Sequence, residues 1–302
     1  MQLLTQTISR INCPDRESSR QAEERLRNQV RPAGSLGVME TIAARLAGIA
    51  GHLDVRLTQK VVVVCAGDHG VVQEGVSLFP QEVTAQMVTA FTQGLASINV
   101  LAKHSGADVI VADLGVNHDF PPALPILHKK VRHGTANFAR EPAMSREEAL
   151  ASVEAGISIV EGLVGDRGLD LLGTGDMGIG NTTPSTAIIA AYSGQKAASI
   201  VGRGTGIDDR ALKQKAHVIQ RAVDYHRPDT ADPLDVLAKI GGCEIGGLTG
   251  LVIGAAANRI PVLCDGLIST AGALLACELA PNARHYLFAS HASVESGHLL
   301  ML

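Results

Sequence analysis

From residue 61 onward the chain repeats one pattern: a short apolar or β-branched run, a polar or glycine-rich turn, and then a helical segment. The runs are Val61–Cys65, Val109–Ala112, Leu169–Leu172, Ser199–Val201, Val262–Cys264 and Tyr286–Ala289. Strands alternating with helices predict a parallel sheet with helices on both faces. Inside and outside positions do not alternate within the runs, as expected of strands buried on both sides. Upstream the pattern differs. Residues 15–30 are highly charged with helical spacing, and Leu36, Met39, Ile42, Ala43, Leu46 and Ile49 mark a second helix that Ser35 is placed to cap. The expected architecture is a three-layer α/β fold with a mostly parallel, Rossmann-like sheet over residues 56–302 and a small helical layer or domain over residues 1–55. The most apolar stretch, Ile245–Ala257, is shorter than the about 20 residues a membrane span needs. Glycines at 242, 246, 250 and 254 make it read instead as one close-packed face of a buried helix.

The turn after each run carries the chemistry. The segments are Gly67-Asp68-His69-Gly70, Asp113-Leu114-Gly115, Gly173-Thr174-Gly175-Asp176, Gly202–Gly206, Asp265-Gly266 and Ser290–Ser293. In an open parallel sheet they all lie along the carboxyl edge, where ligands bind. The sharpest is Leu171–Ser185: a strand, a glycine loop, then Thr183 as N-cap and Pro184 as first helical residue. Backbone N–H groups and the helix dipole at such a start favour a phosphate or a carboxylate. The spacing is neither GxGxxG nor GxxxxGK[ST], so neither NAD nor ATP is indicated. The second glycine loop, Gly202–Gly206, precedes a helix opened by Asp208 and Asp209, with Lys213 and Lys215 in its first two turns. Either lysine could close over a phosphate or stand solvated on an exposed face. Asp68 and His69 could form an acid/base pair, or His69 could hydrogen-bond within the sheet edge. No GxSxG elbow and no defensible Ser/His/Asp order supports hydrolase chemistry.

Composition narrows the classes. Of 302 residues 46% are hydrophobic and 19% charged, with no Trp, five Phe and three Tyr, so the core is built from Ala, Val, Leu and Ile. The net charge of −4 leaves no basic footprint for nucleic acid. Cys13, Cys65, Cys243, Cys264 and Cys277 form no CxxC pair and no Cys/His cluster, and read as buried reduced thiols rather than a metal or disulfide framework. The first residues lack a basic region followed by a long apolar stretch, so no signal peptide is expected and a cytoplasmic location is.

Taken in order, several stretches resemble one family. They are Arg31-Pro-Ala-Gly-Ser-Leu-Gly37; Ala66–Val71 with Glu74-Gly75 and Pro80–Met87; Gly134–Asn137; Pro142–Ser145; Gly178–Pro184; Gly246–Gly250; Leu263–Gly266; and Ser290–Ser293. The set resembles the nicotinate-nucleotide:dimethylbenzimidazole phosphoribosyltransferases and covers nearly the whole chain.

The resemblance implies transfer of phosphoribose from nicotinate mononucleotide to 5,6-dimethylbenzimidazole, giving α-ribazole 5′-phosphate and nicotinate for cobalamin biosynthesis. It implies no cofactor and no metal, and a homodimer with small-molecule substrates only. It implies a phosphate site at Asp176, Met177, Gly178, Gly204, Lys215 and Ser293, which favours Lys215 over Lys213. Where the family often has Glu, this chain has the shorter Asp176. The benzimidazole pocket it implies is lined by Phe79, Gln86 and Met87, since an aromatic ring and a thioether suit a flat apolar ligand. The family's catalytic glutamate stands in a motif close to LGEG that follows the Ser293 region. Residues 1–302 hold no equivalent, so the base is expected beyond Leu302 and no catalytic residue is assigned. The alternative is a non-catalytic paralogue that binds the nucleotide or a benzimidazole.

Overall fold

A computed structural model describes residues 2–301. Six strands form one sheet: β1 (Lys60–Gly67), β2 (Asp108–Gly115), β3 (Leu127–His128), β4 (Leu171–Met177), β5 (Val262–Cys264) and β6 (Leu287–Ala289). Their order is β3-β2-β1-β4-β5-β6, with every pairing parallel. The central strand β1 is hydrogen-bonded on both sides, Cys65 standing opposite Ala112 on β2 and Asp176 on β4. Its residues alternate between two buried faces. Val61, Val63 and Cys65 join the larger core, while Val64 and Ala66 join a second core with Val88, Phe91 and Val111. That double burial is why the run carries no polar alternation.

The glycine-spaced helix forms as expected. Cys243–Ala257 is buried along nearly its whole length and packs on the long helix Arg146–Arg167. A Cβ at Gly250 would overlap the Val153 carbonyl, and one at Gly156 would overlap that of Gly247. On the opposite face of the sheet, helices Glu82–Thr92 and Ser97–Ser105 cover β1 and β2.

Four details differ from the sequence reading. Ser199–Val201 is not a strand: Ala197–Ile200 is a short helix whose Ile200 packs against Ile189 and Leu267, so its apolar residues bury against helices rather than beside a strand. The two-residue β3 carries no run long enough to see. Ser35 does not cap Val38–Ala50; Gly37, at φ 55°, occupies the cap, and the Ser35 hydroxyl accepts from Arg31. Cys13 is exposed rather than buried. Upstream of β1, Leu4, Ile11 and Ile49 reach the main core, whereas Ala22, Ala44 and Ala47 pack among themselves. No helix among the described residues is long and apolar enough to cross a membrane.

Candidate active site

Strand order reverses between β1 and β4, which opens a crevice outside their carboxyl ends. Two features stand on this part of the sheet, linked by the Asp176–Asn181 hydrogen bond.

The first is a pair of glycine loops closed around a buried lysine. β4 runs through Gly178 and Gly180 into the helix Thr182–Ser193. Asn181 already has helical backbone angles and fills the cap position, so Thr183 and Pro184 lie inside the first turn rather than at its boundary. Thr183 Oγ1 is buried without a hydrogen-bond partner. Thr182 is the hydroxyl in use: it accepts from Lys215 Nζ at 2.7 Å. Lys215 comes from the helix Asp209–His226, capped by Asp208 as expected, and is fully buried. It also donates to the Gly202 carbonyl at 3.2 Å. Burial pushes its ammonium down to about 8, partly opposed by the charge of Glu295. Gly204 stands against both groups at φ 52°; a Cβ there would lie 2.8 Å from Thr182 Oγ1 and 3.3 Å from Lys215 Nζ. Only glycine permits that approach. Lys213, two residues away, is exposed.

The second feature is a cavity of about 390 Å³ on the sheet face. Val62 and Val64 of β1 and Gly173 and Gly175 of β4 form its floor, the glycines leaving space that side chains would fill. Met87, Phe91, Ile98 and Leu263 supply apolar walls, and Thr174, Asp176, Asp265 and Ser290 a polar edge. Asp176 accepts from Asn181 Nδ2 at 2.7 Å. Its enclosure pushes its carboxyl up to about 7; the Asn181 bond and His69 oppose the shift, while the charges of Glu244 and Asp265 add to it.

The ring-site candidates therefore separate. Met87 joins Asp176 in the larger cavity, whereas Gln86 lines a neighbouring one of about 270 Å³ with Asp68, Gln81 and Asn117. Phe79 lines neither. It sits half exposed on a loop tied to the second glycine loop, where Leu78 N donates to Thr205 Oγ1 at 3.3 Å. Ser293 belongs to a turn whose Glu295 reaches Gly204, so Ser293, Gly204 and Lys215 fall in one region.

His69 is no surface acid or base. It is buried, its Nε2 lies 2.9 Å from Glu244 Oε1, and its backbone bridges Thr135. Burial alone would lower its pKa, but the charge and hydrogen bond of Glu244 outweigh it and the imidazole is raised. Ser290 Oγ and Asp265 Oδ1 lie 2.8 and 3.7 Å from the same ring nitrogen of His291, so this Ser, His and Asp cannot relay a proton from one ring nitrogen to the other. Among the described residues no group of three or more His, Cys, Asp or Glu is placed to hold a metal. The sequence reading missed Thr182, Asn181, Glu244 and Glu295, and treated Asp265 as turn chemistry. The first two lie in the Asn-Thr-Thr-Pro stretch; Glu244 is brought in by packing, with no local signal.

A phosphoribosyltransferase family model matches residues 11–302. The nicotinate-nucleotide–dimethylbenzimidazole phosphoribosyltransferase of Geobacter sp. (strain M21) is 54% identical over 302 residues, covering 100% of this chain and 86% of the relative. This chain belongs to that family. The Geobacter sulfurreducens enzyme of the same name is 55% identical over 303 residues, with the same shares covered. The crystal structure of CobT from Thermus thermophilus superposes with a TM-score of 0.91 at 42% identity, covering 95% of this chain and 85% of that one.

Proposed function

We propose that this chain transfers the phosphoribosyl group of nicotinate mononucleotide to 5,6-dimethylbenzimidazole, as the names of its relatives state for them. The observation that carries the reading is the buried Lys215–Thr182–Gly204 cluster, joined through Asn181 and Asp176 to the edge of the apolar cavity. Met177, Gly178, Gly204, Lys215 and Ser293 serve the 5′-phosphate, Lys215 as its principal cation; Asp176, which the resemblance also gave to the phosphate, is reassigned below because a deprotonated carboxylate repels that group. Met87, with Phe91 and Ile98, packs the benzimidazole ring; Gln86 and Phe79 approach it from the neighbouring cavity and loop.

The chemistry is one in-line displacement at C1′. The bond to the nicotinate nitrogen breaks, its electron pair neutralising the pyridinium, while a benzimidazole nitrogen forms the new bond from the opposite face. The β-nucleotide thus becomes an α-nucleotide. The second ring nitrogen must lose its proton; the resemblance gives that role to the glutamate of the LGEG motif, and among residues 1–302 we assign it instead to Asp176, on the cavity edge with a pKa near 7. Holding two rings in line supplies much of the rate. We place the enzyme in the cytoplasm as a homodimer, which fractionation and sedimentation velocity test.

The direct experiment mixes the protein with both substrates and follows nicotinate and α-ribazole 5′-phosphate. Equal accumulation of the two, dependent on the benzimidazole, is expected. Nicotinate release without the benzimidazole nucleotide would point to hydrolysis and against the proposal.

A further inference from the structure

The cluster around Lys215 already contains an anion, and it belongs to the protein. Glu295 Oε1 accepts the Gly204 N–H at 2.9 Å. Its carboxylate comes so close to Gly202 that a Cβ there would overlap it. Glu295 Oε2 is buried without a hydrogen-bond partner. On the other side of Gly204 stand Lys215 Nζ and Thr182 Oγ1. A carboxylate here meets one donor that a phosphate would meet, the backbone N–H of a glycine loop, and its charge acts on the buried ammonium beyond it.

The surroundings fix the backbone of Glu295 but not the direction of its side chain. Its N–H donates to Ser293 Oγ at 3.2 Å, and its carbonyl accepts from His298 N at 3.0 Å. The buried His298 ring anchors the turn, taking the Ser293 N–H on Nδ1 at 2.8 Å and contacting Thr270 Oγ1 through Nε2 at 2.9 Å. The carboxylate itself is held by the Gly204 N–H alone among the described hydrogen bonds. Arg203 does not neutralise it, being paired with Asp209 and bonded to the Ile207 carbonyl. Lys215, on which the Glu295 charge already acts, is then shared by two negative groups whenever a phosphate enters.

We infer that Glu295 is an affinity-determining residue of the phosphate cradle, an internal anion whose carboxylate the nucleotide phosphate must displace from Gly204. The inference rests on the phosphate assignment made above. Rotation of one side chain clears the site, and the turn Ser293–His298 stays in place. The cost of that exchange, one hydrogen bond and the repulsion of two anions, weakens nucleotide binding and so eases release of the phosphorylated product.

Calorimetric titration with nicotinate mononucleotide, and with nicotinate riboside as the ligand lacking the phosphate, tests it. Glu295→Gln keeps the arm and an oxygen acceptor for Gly204 but removes the charge. It should bind the mononucleotide about tenfold more tightly, the scale of one near like-charge contact at moderate ionic strength. Riboside affinity should not change. Glu295→Ala should show the same sign, and serves if the glutamine variant is unstable. Mononucleotide binding that is unchanged or weaker in both variants would overturn the inference and make the carboxylate a brace for the glycine loop. An unmodified protein that does not distinguish mononucleotide from riboside would instead overturn the phosphate assignment underneath it.

Discussion

Lys215 and Asp176 are opposite charges displaced toward neutrality, and the displacement gives the reaction a narrow working range. Burial raises the Asp176 carboxyl to about 7, so the residue becomes a proton acceptor only as pH rises through that value. Burial lowers the Lys215 ammonium to about 8, so the cradle loses its cation as pH rises further. The rate under subsaturating substrates should therefore rise through pH 7 and fall above pH 8. Asp176→Asn should cost about 10²–10⁴-fold in kcat, the usual worth of general-base assistance, and should abolish the rising limb. A full rate in that variant would place the base elsewhere. At this scale the sequence shows positions better than partners. The glycine loops and the pair Lys213 and Lys215 could be nominated because they are local, and the resemblance alone favoured Lys215. Glu295 and Glu244 could not, because Glu295 meets Gly204 across 91 residues and Glu244 meets His69 across 175.

Among elements, the helix Cys243–Ala257 shows what a periodic glycine signal means physically. Its glycines let two backbones approach closer than any Cβ allows. Gly250→Ala drives a methyl into the Val153 carbonyl and should destabilise the protein by about 1–3 kcal/mol through overpacking. Gly162→Ala, on the exposed side of the helix Arg146–Arg167 with nothing within 4 Å of the added methyl, should stabilise it by about 0.5–1 kcal/mol. Denaturant unfolding of the two variants should show shifts of opposite sign. Two destabilising shifts would mean that helix propensity and contact have been misread. The same glycine periodicity was legible because it is long and regular. Ser199–Val201 misled because its apolar Ile200 buries on the short helix Ala197–Ile200 while Val201 is the extended residue that ends it, and the Thr182–Ser193 boundary slipped because three polar residues, Asn181, Thr182 and Thr183, can each cap.

For the whole molecule, alternation of runs and helices was enough to predict a parallel three-layer sheet, but not the order β3-β2-β1-β4-β5-β6, which depends on where each crossover lands. One expected strand, Ser199–Val201, does not form. Gly202–Gly206 follows a short helix instead, yet it reaches the same crevice because Lys215 and Glu295 hold it there. The proposed function stands on the loops around Lys215 holding a nucleotide 5′-phosphate. A thermodynamic cycle tests that most directly: nicotinate mononucleotide and nicotinate riboside titrated into the unmodified protein and into Lys215→Ala, with Lys213→Ala as the surface control. The account predicts that Lys215→Ala loses about 1.5–3 kcal/mol of mononucleotide affinity and almost none for the riboside, as for a charged hydrogen bond, while Lys213→Ala changes little. A Lys215→Ala protein that still prefers the mononucleotide as strongly as the unmodified one would contradict it.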